Sequence, residues 1–422
     1  MKDIEQQPIP LEEERGEPLT FEKLYEKRNK MANSMKENNS LEGFLELLSE
    51  FYLKEAQFVY ELLQNAEDTG AKTVSFNLCA DHLNFEHDGI DFSLSDVDDI
   101  TNIPKSKKRG DETKIGKFGI GFKAVYIYTD NPEIYSGDYS FKIKDAFVPE
   151  KIPIDKKAEK THFVFPFNKK DKSPAAAVIE IEKELRSLDE GALLFLSNIS
   201  RIEYLCPGQN EPGYLERTEI EDGILQITIA APGGERSSTN YLLYSKYVQV
   251  EEEGKQKNCR VAIAYQLANS EIPGEKWKIF PVEDGQVCIF FPAPGEASKA
   301  NLKFHLHAPF ASIVGRDLVR DTPENEKLLE AIAELTAESL KDIKNRKMLT
   351  TEFLATMPIE DDNLTPFYEP IRFAVLNSFI ELDLVPTKSG VYAAAKNLFR
   401  ADAAEISEVF DDMDTIPTLE LK

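Results

Sequence analysis

At 422 residues, with 41% hydrophobic and 10% aromatic side chains, the chain is too long for one ordinary core, and two or three domains are expected. Its formal net charge of −25 argues against broad, sequence-independent nucleic-acid binding, which rests on neutralising phosphates with Lys and Arg. No run approaches the roughly 20 apolar residues of a membrane span, and Cys79, Cys206, Cys259 and Cys288 show neither CxxC pairs nor regular spacing, so a reducing cytoplasm is the expected setting.

Residues 1–19 are polar and proline-containing and read as an arm, followed from Thr20 by a helical pattern with Phe21, Leu24, Tyr25 and Met31 near one side. A second helical stretch starts after Ser40 and runs, with a break, to a stop at Gly70. KTVSFNL and DHLNFEH alternate apolar and polar residues, as a hairpin with one buried face does. Residues 92–113 lose periodicity, which predicts a loop or short helices. The glycine-rich KIGKFGIGF then leads into an apolar helix, and GDYSFKIK and KTHFVFPF read as strands closing a first domain over 41–172. SPAAAVIEIEKELRSL is the helical joint to a second α/β domain over 173–350, whose strand-like runs begin with GALLFLSNISRIEYL and whose long helix covers 325–345. Residues 351–422 form an acidic tail region with one helical pattern near 365–382.

The stretch FVYELLQNAEDTGAKT organises the rest. On a helix, Glu61, Asn65 and Asp68 fall at i, i+4 and i+7 on one face, beside an apolar stripe of Phe58, Leu62 and Ala66. Acids on a core-packed helix are costly unless something compensates them. Asp88-Gly89 and the glycines Gly116, Gly119 and Gly121 supply the compensation if the site holds a magnesium nucleotide. Asn65 offers a neutral oxygen to a hard cation, and Glu61, one turn earlier, is placed to accept a proton from a water attacking the terminal phosphate. Asp88 can accept from the exocyclic amine of adenine, with Gly89 clearing space. The glycine segment donates N–H groups to phosphates, and the basic run from Lys105 to Lys123 offsets their charge. His305 and His307 alternate on one strand without a third ligand, so core packing is expected of them rather than metal binding.

ELLQNAEDTGA, HDG and IGKFGIGFKAVY resemble the three nucleotide-binding boxes of the GHKL superfamily, which includes gyrase, the 90-kDa heat-shock chaperone, histidine kinases and MutL. The glycine box is most similar to that of the heat-shock chaperones. LLFLSNISRIEYL and the stretch from FFPAPGEASKANLKF to VGRDLVRD resemble the middle region of the sacsin-type branch. The resemblance implies a Bergerat α/β sandwich of the α+β class, with a mixed, mostly antiparallel sheet, then a second α/β middle-type domain and a small C-terminal segment. It implies Glu61 as general base, Asn65 as magnesium ligand and Asp88 as adenine reader, with Asp68 at an acidic box position. It further implies Gly116, Lys117, Phe118, Gly119, Ile120, Gly121 and Phe122 as cofactor-binding residues, with the three glycines as phosphate loop and lid hinge, Lys107 in the lid, and Thr161 in a position similar to the last, threonine-bearing box. HDGIDFSLSD departs from the pattern in lacking a second glycine.

The expected activity is slow ATP hydrolysis driving closure of a lid and an ATP-dependent homodimer, with ATP and Mg2+ as cofactors and an unnamed client or fused effector as partner. The alternative is a scaffold that senses nucleotide without hydrolysing it. A histidine kinase is disfavoured, because none of the five histidines lies on a helix upstream of the site. Arg316 or Arg320, in VGRDLVRD, is expected to reach the terminal phosphate and to couple hydrolysis to the angle between the two domains.

Overall fold

The computed structural model describes residues 19–44, 58–102, 121–153, 156–252, 255–293, 299–311, 319–320, 322–387, 391–400 and 415–416. Helix α1 (Phe21–Glu37) opens at Thr20, whose hydroxyl accepts the Lys23 N–H at 3.3 Å. Helix α2 (Phe58–Asp68) stops before Gly70, whose φ of +74° turns the chain so that its N–H returns to the Glu67 carbonyl and the Ala71 N–H to that of Ala66. Strands β1 (Thr73–Leu78) and β2 (His82–His87) form the expected hairpin. Helix α3 (Leu94–Ile100) starts in a capping box made by Ser93 and Asp96.

Gly121–Ile127 is a 3-10 helix where an α-helix was expected. Phe122, Lys123, Ala124, Val125 and Tyr126 are all buried, so the segment is enclosed on every side and its sequence carries no amphipathic period to select the helix type. Strands β3 (Glu133–Ser136), β4 (Tyr139–Lys144), β5 (Val148–Lys151) and β6 (Thr161–Pro166) follow. Ser173 caps α4 (Pro174–Arg186), with Pro174 in the first turn where its missing N–H costs nothing. The next run was expected to be a strand throughout, but it begins as the short helix α5 (Gly191–Leu194), and only Arg201–Leu205 is extended, as β7. An apolar run of this length carries no decisive period, and tertiary packing chooses.

Strands β8 (Gly213–Glu221), β9 (Ile224–Ala230), β10 (Arg236–Glu252) and β11 (Lys255–Asn269) make a long meander. β12 (Trp277–Ile279), β13 (Val287–Ile289), β14 (Phe291–Pro292) and β15 (His305–His307) are short. Thr322 caps the long helix α6 (Pro323–Asn345), and α7 (Thr351–Thr356) and α8 (Glu369–Glu381) come after it.

These fifteen strands form one mixed sheet, ordered β14-β13-β15-β11-β10-β9-β8-β7-β1-β2-β6-β3-β4-β5, with β12 paired to β11. Its pairings are antiparallel except β1 with β7 and β13 with β15. The sheet therefore crosses the boundary expected after residue 172, because β7 lies beyond that point and is the parallel neighbour of β1, with Val74 beside Ile202 and Phe76 beside Tyr204.

Alternation along the strands divides the interior into two cores. Val74, Phe76, Phe85, Phe163 and Phe165 belong to the first, together with Phe58 and Leu62 of α2 and Ile181 and Leu185 of α4. On β11, Ala262 and Ala264 join that core, whereas Val261, Ile263 and Tyr265 join the second with Ile332 and Leu340 of α6. Successive residues of a strand face opposite sides, so the two cores lie on opposite faces of the same sheet. Tyr244 ties α6 down by donating its hydroxyl to Asp342 at 2.7 Å.

Candidate functional site

Helix α2 is buried along Phe58, Val59, Leu62, Leu63 and Ala66, with the Phe58 ring 5.1 Å from Tyr128 and 6.4 Å from Phe165. Glu61, Asn65 and Asp68 stay half-buried, as their i, i+4, i+7 spacing requires if they line a face beside the core rather than inside it. The fully buried acid of this helix is instead Glu67, which the sequence reading passed over. Its Oε1 accepts the N–H groups of Ser197 and Asn198, and its Oε2 accepts that of Ile199, each at 2.8 Å. The half-buried cations Arg217 and Arg260 also face it electrostatically, while their guanidiniums donate to carbonyls of the 193–196 segment. The signal was present in the sequence: Glu67 lies at i+4 from Leu63, on the apolar side of the helix.

Beyond α2 the chain turns through Thr69 and enters the β1–β2 hairpin, whose far end returns to the same spot. The Ile90 N–H donates to the Thr69 carbonyl at 3.1 Å. Gly89 is required here, since a Cβ on it would stand 2.0 Å from Thr69 Oγ1 and 3.1 Å from His87 Nδ1. Leu83, Phe85 and His87 alternate onto the covered face of the sheet, and His87 is 2% exposed. Its ring lies 5.9 Å from Phe85 and 6.1 Å from Phe163, and burial lowers its pKa to about 4. Nδ1 of His87 accepts the Gly89 N–H at 3.2 Å.

Asp88, one residue further, is exposed and turned the other way. Its Oδ1 accepts the N–H groups of Lys72 and Thr73 at 2.7 and 2.9 Å, and its Oδ2 accepts the Thr73 hydroxyl at 2.8 Å. Partial burial alone would raise its pKa, but these donors hold the carboxyl below its usual range. Both oxygens are thus engaged in closing the hairpin onto the start of β1, while the adjacent residue that reaches the covered face is His87.

Thr161 sits directly across the β2–β6 ladder from His87 and is fully buried. Its hydroxyl is 2.6 Å from that of Ser136, which also accepts the Phe92 N–H at 2.8 Å. Directly opposed residues of an antiparallel pair share a face, so Thr161 and the hairpin end meet through His87. Phe122 closes the apolar wall, 6.0 Å from Phe163 and 6.3 Å from Phe165. The next residue, Lys123, is buried and donates to the carbonyls of Ile100 and Ala146 at 2.8 and 2.6 Å.

Gly121 opens the 3-10 helix, while Lys107, Gly116, Lys117, Phe118, Gly119 and Ile120 lie outside the described residues, as does Arg316. Arg320 is exposed. Its backbone is held from below by Asn325, which donates to the Arg320 carbonyl at 2.7 Å. His305 and His307 are buried, and their Nδ1 atoms accept the N–H groups of Gln286 and Phe290. Among the described residues no group of three or more His, Cys, Asp or Glu could hold a metal ion, and no helix is long and apolar enough to cross a membrane.

Residues 87–162 match the sequence family described as Sacsin domain. The chain is 23% identical over 343 residues to Protein NO VEIN of Arabidopsis thaliana, a match covering 74% of this chain and 12% of that protein. It is 35% identical over 115 residues to human Sacsin, covering 23% of this chain and 2% of that protein. It thus spans only a small part of these curated relatives. Among solved structures, the N-terminal domain of a DNA repair protein aligns at a TM-score of 0.39 with 10% identity, covering 72% of this chain and 98% of that one. The sequence matches support a sacsin-type family.

Proposed function

We propose, from the sacsin-type likeness and the site geometry together, that this chain is a nucleotide-driven conformational module: it binds ATP with magnesium in the manner of GHKL proteins and hydrolyses it slowly. The observation that carries the reading is one juxtaposition. The half-buried row Glu61, Asn65 and Asp68 runs to the end of α2 that abuts Gly89, beside the opposed pair His87 and Thr161. A helix that packs its other side into the core and gathers two acids and an amide on one half-buried face concentrates oxygen ligands at that spot, as a site for a cation-bearing ligand needs.

The donor set suits a hard cation already carried by a triphosphate, because Asn65 offers an amide oxygen between two carboxylates on one face. When bound, that cation supplies charge neutralisation at the phosphates. Glu61 accepts the proton of the attacking water. The apolar wall of Phe122 and Phe163 and the Gly89 turn hold the base end, and the glycine segment before Gly121 covers the phosphates. Closure over the triphosphate, rather than a released product, is the output, and it drives a homodimer, a client or a fused effector. The test is calorimetric titration with Mg-ATP alongside steady-state hydrolysis. Binding with turnover that depends on Glu61 supports the reading, binding without turnover turns it into a sensing scaffold, and absence of binding ends it.

A further inference from the structure

We infer that His87 is the residue that selects the base, and that it does so as a hydrogen-bond donor, so the site reads a purine through an acceptor atom and accepts 6-oxopurine triphosphates alongside ATP. The inference rests on the nucleotide-binding reading and adds to it a residue and a specificity.

The argument is one of tautomers. A backbone N–H can only donate, so the Gly89 N–H at 3.2 Å from His87 Nδ1 makes Nδ1 the unprotonated nitrogen. In a neutral imidazole the proton then sits on Nε2. The ring is neutral at physiological pH because burial disfavours its charged form. Among the described residues nothing pairs with Nε2, although the side chain is 2% exposed and held between Phe85 and Phe163. A donor held between two phenylalanine rings has little water to pair with, and a ligand acceptor that reaches Nε2 takes that place.

Two described carboxylates act on this ring: Glu86 alternates to the other face of β2 and pairs with Lys160, and Asp88 is committed to Lys72 and Thr73 on the other side of the turn. The exocyclic amine of adenine therefore meets no acceptor from this pair, whereas a purine ring nitrogen or the O6 of hypoxanthine meets the Nε2–H. Thr161 does not decide between them, since its hydroxyl and that of Ser136 can exchange donor and acceptor roles.

The probes are ATP and inosine triphosphate, which differ at position 6 in amine against carbonyl. Calorimetry on the unaltered chain should give an inosine triphosphate affinity within about ten-fold of that for ATP, or tighter, because losing one paired group costs on the order of ten-fold. His87→Asp, which installs an acceptor, should shift the ratio toward ATP by about ten-fold or more. An ATP preference beyond ten-fold in the unaltered chain, or an unchanged ratio in a folded His87→Asp protein, overturns the inference. If neither triphosphate binds, the nucleotide reading falls with it, which distinguishes the two failures. Should His87→Asp not fold, 15N spectra of the histidine rings decide: the Nε2–H tautomer with a shift on adding inosine triphosphate supports the inference, and an Nδ1–H tautomer or an unmoved His87 signal overturns it.

Discussion

Glu67 Oε2 and the Ile199 backbone N–H stand 2.8 Å apart, joining α2 to the segment that leads into β7 across 132 residues of sequence. With Ser197 and Asn198 donating to the other oxygen, this one carboxylate fixes the helix that carries Glu61 and Asn65 against the strand next to β1. The structural acid and the candidate functional acids thus occupy different sides of the same two turns.

Removing that anchor leaves three N–H groups without their acceptor and two half-buried guanidiniums without their counter-charge. Glu67→Ala is expected to lower unfolding free energy by about 3 to 5 kcal/mol, and Glu67→Gln by about 1 to 3 kcal/mol, since its amide opposes one of the N–H donors. Urea unfolding monitored by circular dichroism measures both. A loss under about 0.5 kcal/mol for the alanine variant, the size of an ordinary surface change, refutes the anchoring role.

Glu61→Ala should retain Mg-ATP affinity and lose turnover by roughly a hundred-fold, the size expected for a general base. Asn65→Ala should instead weaken magnesium-dependent binding. Equal turnover in both variants and the parent would leave the site without catalytic function.

Asp88→Asn separates the two residues at the hairpin end. Because Asp88 is bound to Lys72 and Thr73, the substitution should cost about 1 kcal/mol of stability through weaker hydrogen bonds, while nucleotide affinity stays within a few-fold. Abolished ATP binding in a folded Asp88→Asn protein would return the base-reading role to Asp88.

Local signals in the sequence were legible because they act within one turn. The cap at Thr20, the helical patterns over 173–188 and 325–345, the stop at Gly70 and the alternation of the β1–β2 hairpin all stand as read. The parallel pairing of β1 with β7 was not legible, because no local pattern specifies which strand lies alongside another more than a hundred residues away. The choice of Asp88 followed turn chemistry, in which Asp-Gly is a strong cue. Strand parity carried a second cue: counting on from Leu83 and Phe85 puts His87 on the covered face. Arg316 and most of the glycine segment lie outside the described residues, so those expectations stand where they began.

Acid should destabilise the fold through its histidines. His87 and His305 are lowered to about 4 and His307 to about 3, all by burial, so between pH 6.5 and 4 the unfolded chain binds more protons than the folded one. Stability is therefore lost as pH falls through that window, by roughly 2 to 3 kcal/mol per ring. Denaturant midpoints taken from pH 7 to pH 4 check this, and His307→Gln should flatten the profile. An unchanged slope in that variant would mean that His307 titrates normally.

Lys123 acts in the opposite range. Burial, with repulsion from Arg28, lowers its pKa from 10.5 to about 7, so the folded protein again carries fewer protons, and stability rises with pH from about 7 to 10.5. A neutral amine still has two N–H donors, enough for the carbonyls of Ile100 and Ala146. Compared with Lys123→Met, the parent should gain about 3 to 5 kcal/mol across this range. Parallel stability curves for the two proteins would contradict a buried, depressed amine.

The pairing of β1 with β7 sets where the chain can be divided. Ending it at residue 172 would strip β1 of one of its two neighbours and lay open those N–H and C=O groups of Thr73–Asn77 that face β7, with Val74 and Phe76 beside them. Such an edge recruits the next copy of the same strand and invites aggregation. A soluble fragment carrying the candidate site would have to extend at least through Leu205, and even then β8 would be missing from the far side of β7. The practical unit for expression is therefore set by strand pairing, well past the point where the nucleotide-box motifs end.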